Sequence, residues 1–341
     1  MKFIDMFSGI GGFRSALELN SHECVAYSEI DKYAKQSYQA IYNTENEIDL
    51  GDITEISQEY LSRFKQESDI VVGGSPCQSF SLAGSKKGFE DTRGTLFFEY
   101  AKVVKETQPK YFLFENVKGM MSHDKGDTIR VVLETFNELG YYIDFNVFNS
   151  KYYGVPQNRE RIYIVGKRKD LVEQPKHHNK TKGKKKIDEI HNWAVDNTNY
   201  IELLPPLQTE VTTQLIDVLE DEADEKYYLS EKMVSNAKYD NELKGLLNHY
   251  SYRELDTIHS IYKVSPTLNT MQGGGRQPKI VTPIKKKIRK LTPLECWRLQ
   301  GFTDEQFYKA KNSGVSNSQL YKQAGNSVTV NVVDAIVKEL D

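Results

Sequence analysis

Three polar constellations stand where apolar runs end, and together they could do covalent chemistry. In "VVGGSPCQSF" the apolar residues stop at Gly73 and Gly74, and Cys77 follows Pro76. A lone thiol is mostly a small buried hydrophobe. That reading suits Cys24, inside a strand, and Cys296, inside an amphipathic helix. Cys77 differs, because polar Gln78, Ser79 and Ser81 come straight after it. Pinned behind Ser75 and Pro76, it reads as a nucleophile at the lip of a crevice. No histidine is near it in sequence, so a protease-type Cys/His pair is not signalled, while a distant partner stays open. In "YFLFENV" Glu115 leaves a hydrophobic strand. A carboxyl with apolar neighbours keeps its proton to higher pH and can deliver it. In "QNRERIYIVG" Arg159 and Arg161 are two apart, therefore on one face if the strand begins there. Two guanidiniums on one face can clamp a carbonyl and a phosphate; the plainer reading is a surface ion pair with Glu160.

A second constellation suits a nucleoside. "FIDMFSGIGGF" places Gly9, Gly11 and Gly12 between a strand and a helix. The spacing is not GxGxxG, so the dinucleotide fingerprint is not met. Glycines still let the backbone turn sharply and approach a ligand. Glu29 ends the second strand, where a carboxylate can accept from both ribose hydroxyls. Asp52, in "GDI", is placed to meet an adenine amino group. GxxxxGK[ST] is absent, so a triphosphate is disfavoured, and a sulfonium nucleoside fits better.

These groups need a scaffold that brings strand ends together. Short apolar runs at Lys2–Met6, Cys24–Ser28, Asp69–Val72, Tyr111–Phe114 and Arg161–Val165 read as strands. Phe13–Leu19, Asp31–Tyr42 and Thr128–Leu139 read as helices between them. Such alternation predicts a mostly parallel α/β sheet with ligands beyond the carboxyl ends of its strands. After Gly166 the chain turns lysine-rich and irregular. Order returns at "TPLECWRLQGF", a capping box with Thr292 as N-cap, Pro293 at the first helical position and Glu295 three residues on. A last helix over Ser327–Leu340 is apolar on one face and should return to the first domain.

Composition bounds the rest. Hydrophobic content of 38% and charged content of 27% are those of a globular protein. No apolar stretch reaches the ~18 residues a membrane span needs, and the start lacks signal-peptide character. The expected compartment is the cytoplasm. Three scattered cysteines without CxxC fit neither a disulfide framework nor a zinc site, and no metal is expected. The net charge of −3 argues against a simple polyanion binder. Yet Lys167–Lys186 holds nine Lys/Arg against two acids, and Arg276–Lys290 holds seven against none. Two basic blocks bracketing one segment favour a local phosphate-facing surface.

The motifs "FSGIGG", "GGSPCQSFS", "GTLFFE", "ENV", "QNRERIYIVG", "RKLTPLECWRLQGF" and "QAGNSVTVNVV" occur in that order. The chain thereby resembles the DNA cytosine-C5 methyltransferases of bacteria and phages. The match covers both ends and leaves about 170–285 unmatched, where that family carries its variable target-recognition domain. The resemblance implies a Rossmann-like S-adenosylmethionine-dependent methyltransferase fold with a smaller, irregular recognition domain. The implied divisions are 1–178 catalytic and cofactor-binding, 179–287 target recognition, 288–320 hinge and capping helices, and 321–341 a segment returning to the first domain.

It also implies S-adenosylmethionine as cofactor, S-adenosylhomocysteine as product, and cytosine in double-stranded DNA as substrate. The implied chemistry makes Cys77 the nucleophile at C6 and Glu115 the group that protonates or hydrogen-bonds N3. Arg161 holds the base carbonyl, and Arg159 assists. The cofactor pocket would comprise Phe7, Gly9, Ile10, Gly12, Glu29, Asp52, Ile53, Pro76 and Leu96, closed by Asn326, Ser327 and Val328. The target must leave the helix, because attack at C6 comes perpendicular to the ring. The loop Gln78–Gly94 resembles the family's mobile lid, with Gln78, Ser81, Lys86 and Lys87 on the DNA. "SPTLNTMQGGGRQPKI" resembles the recognition loop, with Thr267, Leu268, Gly273, Gly274 and Arg276 facing DNA. A monomer on DNA is implied, and a companion restriction endonuclease is compatible with the family. A tRNA cytosine-C5 methyltransferase, a silent DNA-binding regulator and a small-molecule methyltransferase are the competing readings; the long middle segment favours DNA over tRNA, the Cys77, Glu115 and Arg161 set favours an enzyme, and a small-molecule enzyme would leave the basic blocks and the middle segment unexplained.

Overall fold

The structure, a computed structural model, describes residues 1–65, 67–76, 96–270 and 275–340. Seven strands form the main sheet: β1 (Lys2–Met6), β2 (Glu23–Ser28), β3 (Ile48–Asp49), β4 (Ile70–Gly73), β5 (Tyr111–Val117), β6 (Tyr141–Asn149) and β7 (Glu160–Arg168). Their order is β3-β2-β1-β4-β5-β7-β6. The first five are parallel, whereas β7 runs antiparallel to both β5 and β6. The sheet is therefore mostly parallel, with a hairpin closing one side. Helices α1 (Gly12–Leu19), α2 (Lys32–Ile41), α3 (Gln58–Ser62), α4 (Leu96–Thr107), α5 (Asp127–Glu138) and α6 (Lys186–Asn197) connect and cover it.

Burial on both faces follows the two-residue period of a strand. Phe3, Ile70, Val72 and Leu113 point to one core, shared with Phe13, Ala16 and Leu17 of α1. Their neighbours Ile4, Met6, Val71, Phe112 and Phe114 point to the other, shared with Val104 of α4, Phe136 of α5 and Ile190 of α6. The result is three layers, helix–sheet–helix. Asp31 caps α2, its side chain accepting from the backbone N–H groups of Tyr33 and Ala34.

Beyond β7 the chain stays on the first layer longer than composition suggests. Tyr200 bridges to Ile143 of β6, and α6 buries Ile190 and Ala194. The stretch 186–201, assigned by sequence to the second domain, thus packs on the main sheet. A small sheet follows: β8 (Lys238–Tyr239), β9 (Gly245–Leu246), β10 (Thr257–His259), β11 (Lys279–Val281) and β12 (Ile288–Lys290), in the order β12-β11-β10-β9-β8. Short helices α7 (Glu231–Val234) and α8 (Arg253–Asp256) lie among them.

The chain then forms α9 (Pro293–Arg298), α10 (Asp304–Asn312), α11 (Asn317–Asn326) and α12 (Val330–Val337). The capping box at Thr292 and Glu295 is present with Pro293 in the first turn. Glu295 is also fully buried against Arg289 of β12, at 2.6 Å, so one carboxylate starts the helix and ties it to the small sheet. Val332, Val333 and Ile336 of α12 join the α1 core, and Asn20 donates to Asp334 at 2.9 Å. The last described stretch of chain returns to the first layer. Among the described residues no helix is long and apolar enough to cross a membrane.

Candidate active site

Parallel strands put their carboxyl ends on one side of the sheet. β2, β1, β4 and β5 are successive neighbours, so the residues that follow them line a single crevice. Three strand spacings separate β2 from β5, roughly 14 Å. Glu29 leaves β2, Phe7 to Gly12 leave β1, Gly74 to Pro76 leave β4, and Glu115 lies near the end of β5.

At the β1–β2 end the glycine loop and Glu29 hold each other. The Gly9 N–H donates to Glu29 Oε2 at 2.8 Å, and the Asp31 N–H donates to Glu29 Oε1 at 2.7 Å. Burial raises the Glu29 pKa, and those two N–H groups oppose the rise. Above Gly9, among the described residues, nothing stands within 4 Å of where a side chain would begin. Gly12 is the opposite case. A methyl there would lie 2.6 Å from Val328 Cγ2 and 2.9 Å from Ser327 Oγ, so the returning segment seats directly on the loop. Ser327 and Val328 are buried, and Asn326 is exposed beside them. Phe7 and Leu96 are half-buried, Ile10 and Ile53 buried, and Pro76 exposed. Asp52 accepts from the Thr54 N–H and hydroxyl at 2.9 and 2.7 Å, which lowers its pKa and keeps it ionised. Sequence reasoning passed over Ile30, which follows Glu29 and is 72% exposed, an apolar surface at the mouth of the crevice. Its position directly after a strand-ending acid was the available signal.

At the β4–β5 end the chain leaving β4 runs over Glu115. A methyl on Gly74 would lie 2.8 Å from Glu115 Oε2 and 2.9 Å from its carbonyl oxygen. Asn116 is buried and its Nδ2 donates to the Ser75 carbonyl at 2.9 Å. Gly74 and Asn116 thus fasten the loop that leads into Cys77; the sequence marked Gly74 only as the end of an apolar run and did not single out Asn116, although both stand inside the quoted motifs. Cys77 itself, with Gln78, Ser81, Lys86, Lys87 and the whole candidate lid, lies outside the described residues, as do Gly273 and Gly274.

Burial raises the Glu115 pKa, against the opposing fields of Arg161 and then Arg159. Arg161 Nε stands 3.1 Å from Glu115 Oε1. The ion pair that the sequence offered as an alternative, to Glu160, is not formed by Arg161: Glu160 pairs with Lys118 at 2.9 Å. Arg159 precedes β7 and takes a different course. It is 2% exposed, and its guanidinium donates to the carbonyls of Leu268, Gly325 and Ser327 at 3.2, 3.2 and 2.6 Å. The two arginines therefore do not form one clamp.

The expected DNA-reading residues divide as well. Arg276 is exposed. Thr267 is half-buried, its hydroxyl donating to the Asn158 carbonyl at 2.6 Å. Leu268 is 1% exposed, and its N–H donates to Gln157 Oε1 at 2.8 Å. Its side chain belongs to the core and not to the surface that sequence reasoning gave it, because Gln157 and Arg159 hold its backbone from below. Cys24 and Cys296 are free and buried, and burial raises both thiol pKa values. Among the described residues no cluster of three or more His, Cys, Asp or Glu could hold a metal ion.

This arrangement brings the glycine loop and Glu29 to the same edge of the sheet as a carboxyl whose pKa burial raises, with Gly74–Pro76, which precede Cys77 in sequence, leaving the strand between them. Comparison with known proteins agrees. A family model described as C-5 cytosine-specific DNA methylase matches residues 1–341. The orphan methyltransferase M.Rho11sI of Bacillus phage rho11s is 35% identical over 500 aligned positions, covering 100% of this chain and 97% of that protein. The type II methyltransferase M.HhaI of Haemophilus parahaemolyticus is 37% identical, covering 98% and 93%. Among solved structures, the S. pombe Dnmt2 methyltransferase superposes with a TM-score of 0.65 at 20% identity, over 99% of this chain and 97% of that one.

Proposed function

The chain belongs to the C-5 cytosine-specific DNA methylase family and is a DNA cytosine-C5 methyltransferase; from that premise we propose a mechanism for its own residues. It takes a methyl group from S-adenosylmethionine and places it on C5 of a cytosine turned out of a specific duplex sequence. The reaction runs through a transient bond between the Cys77 sulfur and C6.

The residues at the β1–β2 end fit such a cofactor. Glu29 keeps lone pairs for a ribose diol while its backbone partners fix its orientation. Ile30 offers an apolar surface for a base, and no described residue over Gly9 blocks close approach. Phe7, Ile10, Gly12, Asp52, Ile53, Pro76 and Leu96 complete the recess, with Asn326, Ser327 and Val328 closing it. When bound, the sulfonium supplies an electrophilic methyl group and departs as S-adenosylhomocysteine.

The protein makes cytosine C5 a nucleophile. Addition of the Cys77 thiolate to C6 places an electron pair on the C4–C5–C6 system, and Glu115 delivers a proton to N3 as that charge develops. Arg161, paired with Glu115, holds the base carbonyl. After methylation, C5 gives its proton to water, the Cys77–C6 bond breaks to restore the thiolate, and N3 returns its proton to Glu115. Turning out the base costs a few kcal/mol. The loop Gln78–Gly94, carrying Ser81, Lys86 and Lys87, closes over the duplex. The small sheet and its loops, with Thr267, Gly273, Gly274 and Arg276, read the sequence, and the protein acts as a monomer on double-stranded DNA.

The observation that carries this reading is the contact of the Gly74–Pro76 loop with Glu115, one strand over from the glycine loop. The purified chain, given S-adenosylmethionine labelled in its methyl group, should transfer label to unmethylated duplex DNA as 5-methylcytosine at one sequence, and not to tRNA. Label in tRNA alone, or in neither, would refute it.

A further inference from the structure

Arg159 lies between two segments that the proposed function assigns to different ligands. On one side the run Pro156–Arg159 holds the start of the recognition segment like a strand. The Ser265 N–H donates to the Pro156 carbonyl at 2.7 Å, and the Asn158 N–H to the Ser265 carbonyl at 2.8 Å. Gln157 accepts the Leu268 N–H, and Arg159 Nη1 donates to the Leu268 carbonyl. On the other side Arg159 Nη2 donates to the carbonyls of Gly325 and Ser327, in the stretch that seats on the glycine loop. The two segments also touch directly. A methyl on Gly325 would lie 2.2 Å from the Asn269 carbonyl oxygen, and the Thr270 hydroxyl donates to Asn326 Oδ1 at 2.5 Å.

Each unmatched donor of a buried guanidinium is costly; among the described residues Arg159 Nε already has no hydrogen-bond partner, so the site depends on the carbonyls that Nη1 and Nη2 hold. If either segment shifts alone, Arg159 loses carbonyls and is left as a buried cation without them. Moving both segments together keeps these bonds, whereas moving one alone breaks them. Resting on the cofactor and DNA assignments above, we propose that Arg159 is a positioning residue that couples duplex engagement on Ser265–Thr270 to closure of Gly325–Val328 over the cofactor. The coupling is reciprocal, as linkage requires. Lysine cannot substitute, because one ammonium nitrogen does not span carbonyls on two sides. It does keep a cation near Glu115.

The test is calorimetry on the full chain, using S-adenosylhomocysteine with and without a saturating duplex that carries the methylated sequence. For the unaltered protein the duplex should tighten S-adenosylhomocysteine binding at least ~5-fold, the lower end of ordinary coupling. In Arg159→Lys that ratio should collapse to within about twofold of unity, while the high-pH limb of kcat/KM stays where it was. Thr270→Ala, an exposed change removing the direct link to Asn326, should lower the ratio partway, and it decides the matter if Arg159→Lys does not fold. An unaltered protein that binds both ligands with no mutual effect would overturn the coupling. So would an Arg159→Lys or Thr270→Ala protein that keeps the ratio intact. An unaltered protein that binds neither ligand would instead overturn the proposed function on which the coupling stands.

Discussion

Cys77→Ser should stop methyl transfer while DNA binding stays within about threefold of the unaltered protein. Loss of a covalent nucleophile removes a whole reaction path, so the expected fall in turnover is on the order of 10⁴-fold or more. A serine hydroxyl is a much weaker nucleophile here, because its proton is held far more tightly than a thiol's and its oxygen is less polarisable. The loop that presents position 77 is unaffected: Gly74 still passes over Glu115, and Asn116 still holds the Ser75 carbonyl. Single-turnover methyl transfer and a gel-shift on the same duplex separate the two effects. Turnover within tenfold of normal would mean that the sulfur is not the attacking atom.

Glu115→Gln is the second large change expected, with kcat down by ~10²- to 10⁴-fold, the usual range for a general acid. Glutamine keeps a hydrogen-bond donor near N3 but has no proton to give. The pH profile gives the sharper readout. Burial raises the Glu115 pKa, so the carboxyl keeps its proton to higher pH than an ordinary glutamate. The protonated form is the active one, so kcat/KM should fall as pH climbs through that raised pKa. In Glu115→Gln that limb should vanish. A Glu115→Gln protein with the same high-pH limb would assign the titration to another group.

Much of the fold around this candidate site was legible in the sequence, for physical reasons that differ from element to element. β1, β2 and β4 showed themselves as short apolar runs ending at glycines or an acid, and doubly buried parallel strands must look like that. The capping box at Thr292 and Glu295 was readable because it is local. β6 was missed, since "YYIDFNVFN" mixes buried polar and aromatic residues and shows no clean period. The small sheet was missed because its strands are two or three residues long and carry no pattern.

Arg159 and Arg161 show where spacing stops being informative. They share a face only if the strand includes both, and β7 begins at Glu160. Arg161 therefore reaches Glu115, while Arg159 turns to carbonyls more than a hundred residues away along the chain. Gln157, Asn116 and Gly74 act through backbone partners that only the fold brings near. Leu268 read as a DNA contact because of its place in a motif, and tertiary packing buries it.

The most direct measurement uses a duplex with 5-fluorocytosine at the methylated position. Fluorine cannot leave C5 as a proton does, so the Cys77–C6 bond cannot be released after methylation. The account predicts a stable one-to-one protein–DNA adduct that requires S-adenosylmethionine, carries the transferred methyl group, and maps by peptide mass to Cys77. No adduct at a site the protein is known to methylate, or an adduct mapped to any other residue, would contradict it.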